Sequence, residues 1–256
     1  MKILVANPNT TAGVTDRLVE VGRRIAAPGT DLVGLTAPRG VPYIASRAEA
    51  QIGGAVLLEM LADHLPGCDA AIVAAFGDPG LGGARELFDV PVVGLAESAM
   101  VTALMLGRRF AVVTFAEALE AWYEETIDAY GLRARSAGVF CAEKAFVSLA
   151  TVGAEMADDL VELSAVAIGE GADVVILGGA PISGLAAALG DRIPVPCVDP
   201  ISAAVAQAEI LVRLAPAKPR AGTFRRPVAK SSLGLSPALA ALIGRSDSEA
   251  VRSEPG

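Results

Sequence analysis

Little in this sequence can staple a fold or bind a metal. Its 256 residues include one histidine, His64, and three unevenly spaced cysteines, Cys68, Cys141 and Cys197. That supply excludes a disulfide framework and a histidine-built metal centre. Aromatic residues are scarce, at 4%, with a single tryptophan. Basic residues are outnumbered, 21 Lys and Arg against 29 Asp and Glu, for a net charge of −8. Nucleic acid needs a basic face to meet its phosphates, so it is not an expected partner. No apolar run approaches the roughly 18 residues that span a bilayer. The stretch Met1-Lys-Ile-Leu-Val-Ala-Asn-Pro8 is too short for a signal-peptide core. A cytoplasmic protein without a membrane partner is expected.

What is present is aliphatic. Hydrophobic residues make up 53% of the chain, which places it among globular proteins rather than disordered or fibrous ones. Its length suits one domain, or two compact ones sharing a core. Residues 3–6, 70–75, 92–95, 110–114 and 174–177 are short, unalternating Val- and Ile-rich runs. Parallel strands covered on both faces look like that. Between them lie stretches of helical period at 15–26, 49–64, 116–130 and 154–168. Alternating strand and helix predicts a doubly wound α/β architecture.

The chain also repeats itself. Gly67-Cys-Asp-Ala-Ala-Ile-Val-Ala-Ala-Phe-Gly-Asp-Pro-Gly-Leu81 aligns without gaps on Gly171-Ala-Asp-Val-Val-Ile-Leu-Gly-Gly-Ala-Pro-Ile-Ser-Gly-Leu185. Val90-Pro-Val92 matches Val195-Pro-Cys197, and the strand ending at Asn7 corresponds to the one ending at Thr114. Two related parallel-sheet halves follow, residues 1–96 and 97–200. Residues 201–214 form a helix returning to the first half, and 215–256 a basic, proline-containing tail. Residues 214–256 hold seven Lys and Arg against three Asp and Glu, on a body that is otherwise acidic. This tail either lies on its own body or a neighbouring subunit, or is solvated, as termini often are.

Ligands of open α/β sheets bind beyond the carboxyl ends of the strands. Four segments leave strands there: Asn7-Pro-Asn-Thr-Thr11, Phe76-Gly-Asp-Pro-Gly80, Thr114, and Gly179-Ala-Pro-Ile-Ser183. If the halves face each other, these tips converge on one cleft.

Those segments carry a family resemblance. Asn7-Pro-Asn-Thr-Thr11, Ala75-Phe-Gly-Asp-Pro-Gly-Leu81, Gly94-Leu-Ala-Glu-Ser-Ala99, Val112-Val-Thr114 and Ile176-Leu-Gly-Gly-Ala180 occur in order. Together they resemble the Asp/Glu racemase superfamily, and hydantoin racemases in particular. The resemblance implies two pseudo-symmetric α/β halves with an active-site cleft between them, no cofactor and no metal. In that family a cysteine from each half faces one side of the substrate's α-carbon, one removing a proton and the other returning it. The matching positions here are Ala75 and Gly179. A methyl group and a hydrogen transfer no proton, so both thiols are missing. Their loss is expected to widen the pocket by roughly a sulfur atom on each side. Cys68, Cys141 and Cys197 read as structural.

The binding half of the machinery looks intact. Asn7, Asn9, Thr10, Thr11 and Thr114 offer amide and hydroxyl groups, or else close a turn and cap a helix. Backbone N–H groups of Phe76, Gly77, Gly179 and Ala180 suit a carboxylate or enolate oxygen. Tyr43 and Arg47 fall in the loop that covers the substrate in the resembling family; Arg47 could hold a carboxylate, although a surface arginine beside Glu49 is the commoner arrangement. Asp78, before Pro79, reads as an N-cap, and Glu97 as a carboxylate closing a buried strand that binds substrate or braces a loop; both, with Tyr43, are candidates for the acid and base. The expectation is an enolate-type isomerase or lyase acting beside a carbonyl or carboxylate of a small amino acid, cyclic amide or dicarboxylate. The alternatives are an amino-acid or hydantoin racemase, and an inactive small-molecule-binding homologue. A symmetric homo-oligomer is expected.

Overall fold

A computed structural model of the protein describes residues 1–143 and 145–245. The order begins β1 (Lys2–Asn7), α1 (Ala12–Ile25), β2 (Asp31–Thr36), α2 (Arg47–His64), β3 (Ala70–Val73), α3 (Leu81–Leu87), β4 (Val92–Gly94) and α4 (Leu95–Leu106). It continues with β5 (Phe110–Thr114), α5 (Glu120–Ala129), β6 (Ser136–Cys141), α6 (Val152–Glu155), α7 (Ala157–Gly169), β7 (Val174–Leu177) and α8 (Leu185–Leu189). β8 (Cys197–Val198), α9 (Pro200–Leu214) and α10 (Pro237–Gly244) complete it. The strands form two all-parallel sheets, ordered β2-β1-β3-β4 and β6-β5-β7-β8. Every residue of β3, β5 and β7 is buried, as unalternating aliphatic runs require.

The duplication governs detail as well as topology. Asp69 accepts the Lys2 N–H at 2.7 Å, and Asp173 accepts those of Arg108 and Arg109 at 2.9 Å. Each carboxylate thereby fastens the start of its central strand. Gly80 and Gly184 sit at φ +81° and +91°, ahead of α3 and α8, where a left-handed turn favours glycine. Ala71 donates to the Pro91 carbonyl and Val175 to that of Pro196, both at 3.0 Å.

Helices are exchanged between the halves. α4 follows the first sheet in sequence yet packs against β5, β7 and β8, while α9 follows the second and packs against β3, β4 and α1. The two helices also pack on each other, so one apolar core runs through both sheets. Among the described residues, no helix is long and apolar enough to cross a membrane.

Residues 215–245 lie along the first half. Lys218 donates to the carbonyls of Arg85 and Phe88, and the buried Arg226 to that of Leu87. These contacts bring positive charge to the C-terminus of α3, where the helix dipole favours it. Arg226 and Arg245 both pair with Asp89, and α10 packs on α2. Residues 246–256 of the expected tail lie outside the described residues.

Candidate functional site at the strand tips

β1 delivers a self-contained polar knot. Asn7 is fully buried; its amide donates to Asn9 Oδ1 (3.1 Å) and Thr15 Oγ1 (3.0 Å), and its oxygen accepts the Asn9 N–H (3.1 Å). Thr11 N–H donates to Asn9 Oδ1, and the Thr11 hydroxyl to the Pro42 carbonyl at 2.7 Å. The Thr10 N–H reaches the Val41 carbonyl. Asn7, Thr10 and Thr11, expected as substrate contacts, instead brace the loop and fasten residues 41–43. That fastening holds Tyr43 over the tips. Asn9 keeps its amide N–H groups free on the side facing the other half.

Ala75 and Phe76 after β3, and Gly179 and Ala180 after β7, meet Asn9 and Tyr43 around one gap. Gly77, next along the first tip, faces away toward a neighbouring cavity. Backbone N–H groups of Phe76, Gly77, Gly179 and Ala180 make no hydrogen bond within the described chain. The buried Tyr43 hydroxyl has no partner either. The hydroxyl of Thr114, a fully buried residue, likewise has no hydrogen-bond partner.

The gap is nearly full. Its free volume is about 20 Å³, room for one water molecule. Six of the chain's eleven aromatic residues gather here. Phe115 lies 5.8 Å from Tyr43 and 5.4 Å from Phe146 between ring centroids, Phe76 lies 4.7 Å from Tyr123, and Trp122 lies 5.6 Å from Tyr123. A Cβ on Gly179 would stand 2.7 Å from Phe115 Cε1, and one on Gly77 would fall inside the indole of Trp122. The widened pocket expected from the missing thiols is therefore absent: Phe115 and Trp122 occupy the room.

Comparison with known proteins matches this duplicated architecture. The sequence profile described as Asp/Glu/Hydantoin racemase matches residues 3–208. The chain belongs to that family. A hydantoin racemase of Pseudomonas sp. (strain NS671) is 32% identical over 239 residues, covering 91% of this chain and 95% of that one. Solved allantoin racemases superpose closely. The Klebsiella pneumoniae protein has a TM-score of 0.85 at 32% identity, with 94% of this chain and 98% of that one covered. The Pseudomonas fluorescens protein has 0.84 at 33%, with 91% and 100% covered. Arylmalonate decarboxylase shares the fold alone, at a TM-score of 0.59 and 15% identity over 83% of this chain and 92% of its own.

Within this racemase-family framework, the two carboxylates expected at the chemistry lie outside the gap. Asp78 does not cap its own helix, because α3 begins only at Leu81 and Asp78 itself sits at φ +52°. Its buried carboxylate accepts Ala96 N–H (2.9 Å), Glu97 N–H (2.8 Å) and the Tyr130 hydroxyl (2.6 Å), capping α4 from outside. A Cβ on Gly94 would fall within that carboxyl group. Burial pushes the Asp78 carboxyl up to about 6, against the opposing pull of its three donors. Glu97 lies in the first turn of α4, not in a strand, and grips Arg85 through both oxygens. Arg47 grips the exposed Glu125 across the halves.

Proton carriers at the gap are thus phenols. Burial raises the pKa of Tyr43 and of Tyr123, so both stay neutral donors. Among the described residues, no carboxylate, thiol or imidazole lines the gap. Burial, with Glu120, Glu117 and Glu124 nearby, pushes the Cys141 thiol up to about 12, and burial beside Asp199 does the same for Cys197. Cys68 is buried, with its thiol 3.8 Å from the His64 carbonyl. Phe115, Trp122 and Tyr123 were not legible as site residues. The available signal was the chain's one tryptophan next to one of three tyrosines, in a segment matching the polar first tip.

Proposed function

We propose that this chain is an enolate-forming enzyme of the racemase family that works without opposed thiols. It acts beside a carbonyl or carboxylate of a small amino acid, cyclic amide or dicarboxylate. The observation that carries this reading is the set of unpaired donors at the gap: the Phe76, Gly179 and Ala180 N–H groups, the Asn9 amide and the Tyr43 hydroxyl. A buried donor without a partner is costly, as the Tyr43 hydroxyl is here, so its convergence with these amides fits an oxygen-rich ligand. With neutral phenols and no base at the gap, a reaction that makes its carbanion without proton abstraction fits best. Decarboxylation is such a reaction: the C–C bond breaks, CO₂ departs, and the electron pair stays as an enolate held by the donors. Tyr43 or water then protonates the α-carbon, and solvent restores the proton.

The free volume of about 20 Å³ supports a second reading, a homologue that binds a small molecule without turning it over. Incubation in heavy water with malonate, phenylmalonate, hydantoin, allantoin and amino acids separates the readings. The expected result is CO₂ release from a malonate and no inversion of the other compounds. Inversion with deuterium uptake at the α-carbon would restore racemisation and refute the proposal. Thermal stabilisation without turnover would establish the binding homologue.

A further inference from the structure

Trp122 walls two spaces at once. On one side is the nearly full gap, on the other an open cavity of about 430 Å³ beside Asp78, Arg85 and Tyr130. That size lies within the range of small-molecule pockets. Ala50, Leu81, Ala129 and Phe224 give this cavity an apolar floor, and the Arg47–Glu125 pair stands at its rim. The indole lies on Gly77, where no side chain intervenes. The indole N–H of Trp122 makes no hydrogen bond within the described chain and is not among its buried unpartnered groups, so it is open to solvent. Packing alone holds the ring.

We propose that Trp122 is a removable partition. Turning its indole out of the gap joins the two spaces into one cleft. The carbonyl or carboxylate end of a ligand then meets the tip donors, and an aryl or branched alkyl substituent fills the cavity of about 430 Å³. The ligand class is therefore a small carboxylate or cyclic amide carrying an apolar substituent. This inference rests on the reading that the tips receive a carbonyl or carboxylate.

Trp122 is the only tryptophan, so intrinsic emission reports on this ring alone. Wild-type protein is titrated with 5-benzylhydantoin and phenylacetate, and with hydantoin and acetate as counterparts lacking the substituent. Calorimetry measures binding while emission and acrylamide quenching follow the ring. Saturable binding of a benzyl compound is expected, with a red-shifted emission and a quenching constant raised about twofold. Trp122→Ala, checked for folding by circular dichroism, is expected to bind it about tenfold more tightly, because the closed state no longer competes. Saturable binding with unchanged emission and quenching would overturn the partition and leave the tip site standing. No binding of any probe, by wild type or folded Trp122→Ala, would overturn both.

Discussion

A side chain placed at residue 179 probes whether the aromatic filling of the gap is a fixed part of the fold. Gly179 adopts φ +126° and ψ +124°, a conformation that costs an L-residue about 1–3 kcal/mol. A new Cβ also stands 2.7 Å from Phe115 Cε1 and 3.2 Å from Cδ1. Phe115 is fully buried, with Tyr43 and Phe146 packed against its ring, so it has nowhere to retreat. Overpacking of this kind costs about 1–3 kcal/mol more. Gly179→Ala and Gly179→Cys are therefore expected to lose about 2–6 kcal/mol together from backbone strain and crowding. Ala75→Cys, at a position that already carries a Cβ, is expected to lose under about 1.5 kcal/mol.

Urea unfolding, followed by fluorescence and circular dichroism to confirm one transition, measures these losses as shifts in midpoint at constant slope. A Phe115→Leu background separates the contributions, because it relieves the crowding and leaves the backbone strain. A coupling of about 1–2 kcal/mol between residues 115 and 179 is expected. If Gly179→Ala lost less than about 0.5 kcal/mol, an ordinary surface effect, the account of Phe115 as a fixed plug would be refuted. The same arithmetic says that placing cysteines at 75 and 179 will not by itself create a two-thiol site, since the second needs Phe115 elsewhere.

Three further outcomes follow from other parts of the structure. The Asp78 carboxyl holds its proton more tightly when folded, at about 6, than at its ordinary 3.8, so the folded chain carries the extra proton between those values. Stability from this group falls as pH rises through that window, by about 3 kcal/mol in all, and Asp78→Asn should flatten this component in urea midpoints taken from pH 4 to 7. Asn7→Ala removes its bonds to Asn9 and Thr15 and leaves the Asn9 backbone N–H without a partner, and is expected to cost about 2–3 kcal/mol by the same unfolding assay. Arg226→Ala should accelerate tryptic cleavage within residues 215–235 about tenfold while leaving the main unfolding transition in place, because it frees the arm from Leu87 and Asp89.

The central strands were legible because burial on both faces demands continuous aliphatic runs. β2 and β6 were not. Each is an edge strand hydrogen-bonded on one side only, and each contains a glycine, Gly34 or Gly138. Half-exposed strands lose the apolar signature that marks their neighbours. The segment at 154–168 proved to be α6 and α7, two helices divided at Met156, which no breaker residue announces. At the site, position along the chain showed which loops meet, since tips of parallel strands share an end. It did not show what each side chain does there. Asn7 and Asp78 are polar residues at strand ends, and only the hydrogen-bond partners reveal one as a brace and the other as a remote helix cap.

Duplication preserved the scaffold and let the tips diverge. Asp69 and Asp173, Gly80 and Gly184, and Pro91 and Pro196 perform the same tasks in the two halves. After β1, however, the chain supplies the polar Asn-Pro-Asn-Thr-Thr loop, and after β5 it supplies Phe115 and then Trp122 and Tyr123. The β1 loop therefore brings the Asn9 amide to the gap, and the segment after β5 brings the rings of Phe115, Trp122 and Tyr123, which join those of Tyr43 and Phe76. A ligand in the gap would have its oxygen atoms hydrogen-bonded by tip donors of both halves and would be shielded from water by the rings. A carboxylate deprived of solvent is raised in energy relative to the neutral CO₂ it releases, while the tip donors receive the enolate charge. Proton abstraction gains less from such a lining, because rings offer no base. On the proposed function, it is the pairing of tip donors with a ring lining that carries no base, rather than either alone, that favours decarboxylation over racemisation.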